Sequence, residues 1–137
     1  MREILFKAKK WDSKEWVEGS LITLDADSGY YFISEPYTGA STLPVRDLIY
    51  NHTHLVDAKT ICQYTGLTDK NGNKIWENDI VEVPRQDGYF LIQWSETQAC
   101  WEMDNEIESI VCDFDNYWSY DVEVVGNSID NPGLIGQ

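Results

Sequence analysis

The stretch QYTGLTDKNGNKIWENDIVEV, residues 63–83, leaves the chain few ways to fold. Asn71-Gly72 sits between two runs of strand-forming residues, and Asn-Gly is the strongest short-range signal for a β-hairpin. The pair predicts a two-residue type I′ turn with positive φ at both residues. A Trp-containing linker follows, then a second strand at Ile80–Val83. Asn78 tolerates a left-handed backbone, and Asp79 stands where its carboxylate accepts backbone N–H groups before that strand.

Other strands are spaced by similar turn chemistry. Residues 4–9 begin as an apolar run and then alternate, Asp12-Ser13-Lys14 turns, and residues 16–22 return. After the turn at 25–29 comes Tyr30-Tyr31-Phe32-Ile33, so residues 1–33 predict a three-stranded meander. Pro36, Gly39 and Pro44 interrupt residues 34–60. Residues 45–50 fit one helical turn or a short strand equally well, and the region reads as a hinge. Strands resume at 60–64, 80–83 and 89–94; the last, Tyr-Phe-Leu-Ile-Gln-Trp, reads as buried on both faces. Residues 96–118 mix acidic and aromatic residues without a period. A final strand at 122–125 runs into Gly126-Asn127 and an Asn131-Pro132-Gly133 turn. The fold class expected is mainly β. An antiparallel meander and irregular linker occupy residues 1–58, and a small, partly open SH3-like barrel occupies residues 59–137.

Charge divides the chain. Residues 1–85 hold all ten cationic residues and 13 acidic ones; residues 86–137 hold 11 acidic residues and no Lys or Arg. The first 14 residues are locally basic, with five cations against Glu3 and Asp12. An acidic C-terminal half repels phosphate, which argues against direct nucleic-acid binding there. Contact between basic and acidic ends, within a chain or between copies, stays open. Cys62, Cys100 and Cys112 show no CxxC spacing and no secretory leader opens the chain, so reduced thiols in the cytoplasm are expected. No apolar run reaches the roughly 20 residues of a membrane helix.

Candidate chemical sites fail on composition. Counting a calcium loop from Asp69 puts Lys74 where Gly is required and Ile80 where a bidentate Glu is required. His52, His54 and Cys62 make three zinc ligands at most, with no second close-spaced pair to support them. Cys100 and Cys112 lie in acidic surroundings that raise a thiol pKa. Asp104, Glu106, Glu108, Asp113 and Asp115 contain enough carboxylates for a hydrolytic pair, but a solvated acidic face accounts for them as well. Trp76 reads first as a core residue. No catalytic residue, metal or cofactor is assigned.

The segments QYTGLTDKNGNKIWENDIVEV and VEVVGNSIDNP resemble the two signature regions of the YopX family, small proteins of phages and prophages, mostly in Gram-positive bacteria. ILFKAKKWDSKEWVEGSL resembles that family's opening hairpin. Residues 25–55 and 95–118 fall outside the resemblance. Asn78 stands where the family usually has Gly, and Gly133 where an acidic residue often follows Asn-Pro. The resemblance implies a mainly β fold ending in a small barrel and a phage origin. It implies no activity.

The expected function is a non-catalytic phage accessory protein that binds another protein in the cytoplasm of the bacterial host. The alternatives are an acidic decoy of a host DNA-binding protein and a carboxylate-dependent hydrolase. A protein partner is expected, with no direct nucleic acid and no membrane; a homo-oligomer is open. Trp101, Asp113, Asp115, Tyr117 and Trp118 are the expected binding residues, rings to fill pockets and acids to steer a basic surface. Gly66, Asn71, Gly72, Asn78, Asp79, Gly126 and Asn127 are the expected structural turn positions.

Overall fold

The computed structural model describes residues 2–24, 27–36, 43–105, 109–111 and 121–135. The chain is mainly β, built from two antiparallel sheets. It divides into two compact units, Met1–Gln63 and Tyr64–Gln137.

In the first unit, β1 (Phe6–Lys9), β2 (Trp16–Thr23) and β3 (Tyr31–Ser34) form the meander, each antiparallel to its neighbour. Residues 34–60, read as irregular, carry a helix, a strand and a short 3-10 turn at Ala58–Thr60. The ambiguous segment is the helix α1 (Val45–Asn51), with Pro44 as its N-cap residue, where a missing N–H costs nothing. It leaves Val45, Ile49 and Tyr50 exposed. A further strand, β4 (Thr53–Val56), pairs with β3, placing His54 opposite Ile33. Because side chains alternate along a strand, Ala8, Val17, Ile33 and Val56 fall on one face and make this unit's core.

The next strand, β5 (Cys62–Thr68), crosses the division. Its first two residues pair with β1 and its later ones with β6 (Lys74–Trp76). The register between β5 and β6 slips between Tyr64 and Thr68, where Gly66 takes φ +89. The other sheet runs β10 (Ser109–Val111), β9 (Cys100–Asp104), β8 (Tyr89–Ser95), β7 (Asp79–Glu82), β11 (Glu123–Asn127). The expected partly open barrel is thus a five-stranded sheet with β10 and β11 at its edges. Ile75 and Leu67 from the β5–β6 hairpin pack on Val81, Val83, Phe90, Ile92, Met103 and Val122. Each such fully buried large side chain is worth about 1.5–3 kcal/mol against leaving it in water.

Three expectations are corrected. β8 is not buried on both faces: Phe90 and Ile92 are buried, but on the other face Tyr89 is exposed and Leu91 and Gln93 are half-exposed. An apolar run reads as doubly buried, yet an antiparallel sheet needs only one covered face. The Asn71-Gly72 turn is not type I′, because Gly72 has φ +83 and Asn71 is not among the positive-φ residues. The N–H of Gly72 donates to the Asp69 carbonyl at 3.0 Å and that of Asp69 to the Asn73 carbonyl at 2.8 Å. This is a three-residue loop, a type I turn closed by one left-handed residue. Finally, Cys62 is a buried free thiol but Cys100 is disulfide-bonded, so the thiols are not all reduced.

Candidate functional site

Asp69, the residue after β5, is only 3% exposed. Its Oδ1 accepts the N–H groups of Asn71 and Asn73, each at 2.9 Å, and its Oδ2 accepts that of Val124 at 3.0 Å. Burial by itself pushes this carboxyl up, but the N–H groups of Val124, Asn73 and Asn71 together hold it below the usual carboxylate range. The hairpin tip is stitched to β11 by further bonds. The Lys70 N–H donates to the Val122 carbonyl at 3.0 Å, Lys70 Nζ lies 3.4 Å from Glu123 Oε2, and Asn71 Nδ2 donates to Glu123 Oε1 at 3.3 Å.

A second turn meets the same C-terminal segment. Asn78 takes φ +72, its N–H donates to the Ile92 carbonyl at 2.8 Å, and its carbonyl accepts the Ser128 N–H at 2.8 Å. Asp79, 2% exposed, accepts the Trp76 N–H on Oδ2 at 2.8 Å. Opposite them, a bulge between Val124 and Gly126 bends β11. A Cβ on Gly126 would sit 2.7 Å from Asn131 Oδ1, an oxygen that accepts the Asn127 N–H at 3.2 Å. Asn127 Oδ1 in turn accepts the N–H groups of Ile129 and Asp130 at 3.0 and 2.7 Å. Asn71, Gly72, Asn78, Asp79, Gly126 and Asn127 therefore belong to one clasp joining residues 69–79 to residues 122–131. Among the described residues every buried side-chain N or O atom has a hydrogen-bond partner. The clasp satisfies backbone donors at both turns.

The outer face of the five-stranded sheet carries a different chemistry. Glu123 stands directly across from Glu82, and Glu82 from Tyr89. Leu91 stands across from Asp104, and Gln93 from Glu102. Cross-strand partners share a face, so Glu82, Glu102, Asp104 and Glu123 all lie on the side away from Phe90, Ile92 and Met103. Burial, then the hydrogen bond and repulsion from Asp104, push the Glu102 carboxyl above its ordinary value. The opposite face ends in an aromatic pair: Trp94 and Trp101 are cross-strand partners with ring centroids 5.1 Å apart at 74°. Trp101 is half-buried and packs on the core, while Trp94 is 40% exposed. In the first unit the aromatics keep basic company. Lys7 and Lys9 place their ammonium groups 4.6 and 5.5 Å from the Trp16 ring, and Lys14 lies 4.9 Å from the exposed Trp11.

The family model for the YopX protein matches residues 5–136. The chain belongs to the YopX family. A search of curated proteins finds no match. Among solved structures, the crystal structure of protein EF1440 from Enterococcus faecalis is similar with a TM-score of 0.54 at 19% identity, covering 98% of this chain and 99% of that one. That likeness concerns the fold.

In this YopX-family chain the clasp is built from two segments far apart in the sequence, residues 69–79 and 122–131. Sequence reasoning weighed Asp69 only as a calcium ligand. An Asp opening a Lys-Asn-Gly loop is the pattern of a side chain that caps its own turn, and that signal would have found it. Among the described residues no group of three or more His, Cys, Asp or Glu side chains is placed to hold a metal ion. His54 Nε2 instead lies 2.8 Å from Glu35 Oε2. Of the five expected binding residues, Trp101 is on the core side of β9, behind Glu102. Asp113, Asp115, Tyr117 and Trp118 lie outside the described residues. No helix among the described residues is long and apolar enough to cross a membrane.

Proposed function

We propose that this chain is a non-catalytic phage or prophage accessory protein. It binds a basic protein surface through the outer face of its five-stranded sheet. The observation that carries this reading is the apposition of Glu82 with Glu123 across strands, with Glu102 and Asp104 on the same face of β9, one strand further on past β8. Like charges placed this way cost stability; Lys70, 3.4 Å from Glu123, offsets part of the repulsion, and a partner's cations would relieve the rest while steering encounter. Tyr89, beside Glu82, offers a ring to the same surface.

The test is affinity capture from a bacterial lysate with the native chain and with Glu82→Gln/Glu102→Gln/Glu123→Gln, followed by measured association with the recovered protein. The triple variant should fold and associate several-fold more slowly, mainly through the on-rate. Equal rates would sink the reading. The decoy alternative is separated by the same experiment, since it requires that the captured protein bind duplex DNA and that DNA compete with this chain for it.

A further inference from the structure

We propose that Asn71 is a site of spontaneous deamidation, that the folded hairpin holds the reaction in check, and that the reaction, once it occurs, releases the hairpin from β11. Asn71 precedes a glycine and both residues are exposed. Gly72 carries no side chain, and nothing stands within 4 Å of where its Cβ would be, so no side-chain bulk hinders ring closure at this peptide.

The chemistry needs only water. The Gly72 backbone nitrogen gives up its proton to solvent base and attacks Cγ of Asn71. The Cγ–Nδ2 bond breaks and ammonia leaves with a proton taken from water. Water then opens the five-membered imide at either carbonyl, leaving an aspartyl or an isoaspartyl linkage. One water is consumed, one ammonia is released, and nothing is oxidised or reduced.

In the folded chain both reacting groups are occupied. The Gly72 N–H donates to the Asp69 carbonyl at 3.0 Å, which opposes its deprotonation, and Asn71 Nδ2 donates to Glu123 Oε1 at 3.3 Å. The Asn71 N–H is held as well, by Asp69 Oδ1 at 2.9 Å, which fixes the turn against the rotation that ring closure requires. Reaction therefore waits on local opening of the hairpin.

The product does not fit the clasp. A carboxylate at position 71 would face Glu123 where an amide had donated, close to the ionised carboxylate of Asp69. An isoaspartyl linkage lengthens the main chain by one carbon inside a loop whose ends are joined by the bond from Asp69 N–H to Asn73 carbonyl. The bonds from Lys70 to Val122 and from Val124 to Asp69 are the next to suffer, and they tie the hairpin to an edge strand.

The experiment ages the full chain at mildly alkaline pH, folded and in urea, and follows the peptide containing Asn71 by mass spectrometry. Deamidation at Asn71 should be at least about tenfold slower in the folded chain. Glu123→Ala should raise the folded rate without changing the rate in urea. In the aged folded sample, hydrogen exchange at the amides of Lys70 and Val124 should be faster in the deamidated fraction, and Asn71→Asp should reproduce this without ageing. Asn71→Ser, which cannot react, should keep those amides protected. Equal rates folded and unfolded would overturn the protection. Unchanged exchange in the deamidated fraction would overturn the release.

Discussion

Asp69 shows how much one side chain can carry. Three backbone N–H groups converge on a carboxylate that is almost wholly buried, so the charged form is favoured in the folded chain and not in the unfolded one. Asp69→Asn puts an amide N–H₂ where one of those donors needs an acceptor, and should cost about 1–3 kcal/mol in urea unfolding. The folded carboxyl lies below its ordinary value. Its contribution is therefore fully present above the unfolded value of about 3.9 and is lost as pH falls through the lower, folded value. The native chain should lose stability below about pH 4 more steeply than Asp69→Asn, and parallel acid-unfolding curves would contradict this. Glu102 behaves oppositely. Its carboxyl is raised, so ionisation opposes folding at neutral pH, and Glu102→Gln should raise the melting temperature there.

Turns set the geometry of the elements. Gly72 has open space around it, so Gly72→Val is penalised through its φ of +83 alone, by about 1–2 kcal/mol. Gly126→Ala fails for another reason, since its Cβ would press on Asn131 Oδ1 at 2.7 Å, and should cost about 1–2 kcal/mol. Asn78→Gly should be neutral or slightly stabilising, because both main-chain bonds at that position survive and glycine removes the left-handed strain. Urea midpoints of the three variants separate these mechanisms. An unchanged midpoint for Gly72→Val would remove the left-handed residue from the turn. The turn's position was legible in Asn71-Gly72, but its type was not. Loop length depends on where the strands pair, and the Thr68–Lys74 pairing leaves room for three loop residues rather than two.

Over the whole molecule, charge is unevenly distributed. Residues 86–137 hold 11 carboxylates and no Lys or Arg, and four carboxylates of the C-terminal unit share one sheet face. Screening should relieve that repulsion, so the melting temperature should rise from low salt to roughly 0.15 M, where charges interact over only about 8 Å. A steady fall would mean that attraction between the basic N-terminal strands and acidic residues outweighs it. Binding to duplex DNA at physiological salt should be undetectable by filter binding. Tight, salt-sensitive binding would shift attention to Lys7, Lys9 and Lys14 beside Trp16 and Trp11.

The sequence by itself determined the mainly β class, the family and several of the places where the chain turns. Those follow from local causes: alternation along strands, left-handed tolerance at Gly and Asn, and short signature runs. Only the tertiary structure decided that residues 53–56 form a strand, that β8 has one open face, and that Asp69 rather than Asn71 commands the hairpin. It also decided that Glu82 meets Glu123 from 41 positions away in the chain. Strand partners are chosen by long-range register, and a slip of one residue would turn every side chain to the other face. No local pattern records which carboxylates will stand side by side, because that depends on which strands become neighbours.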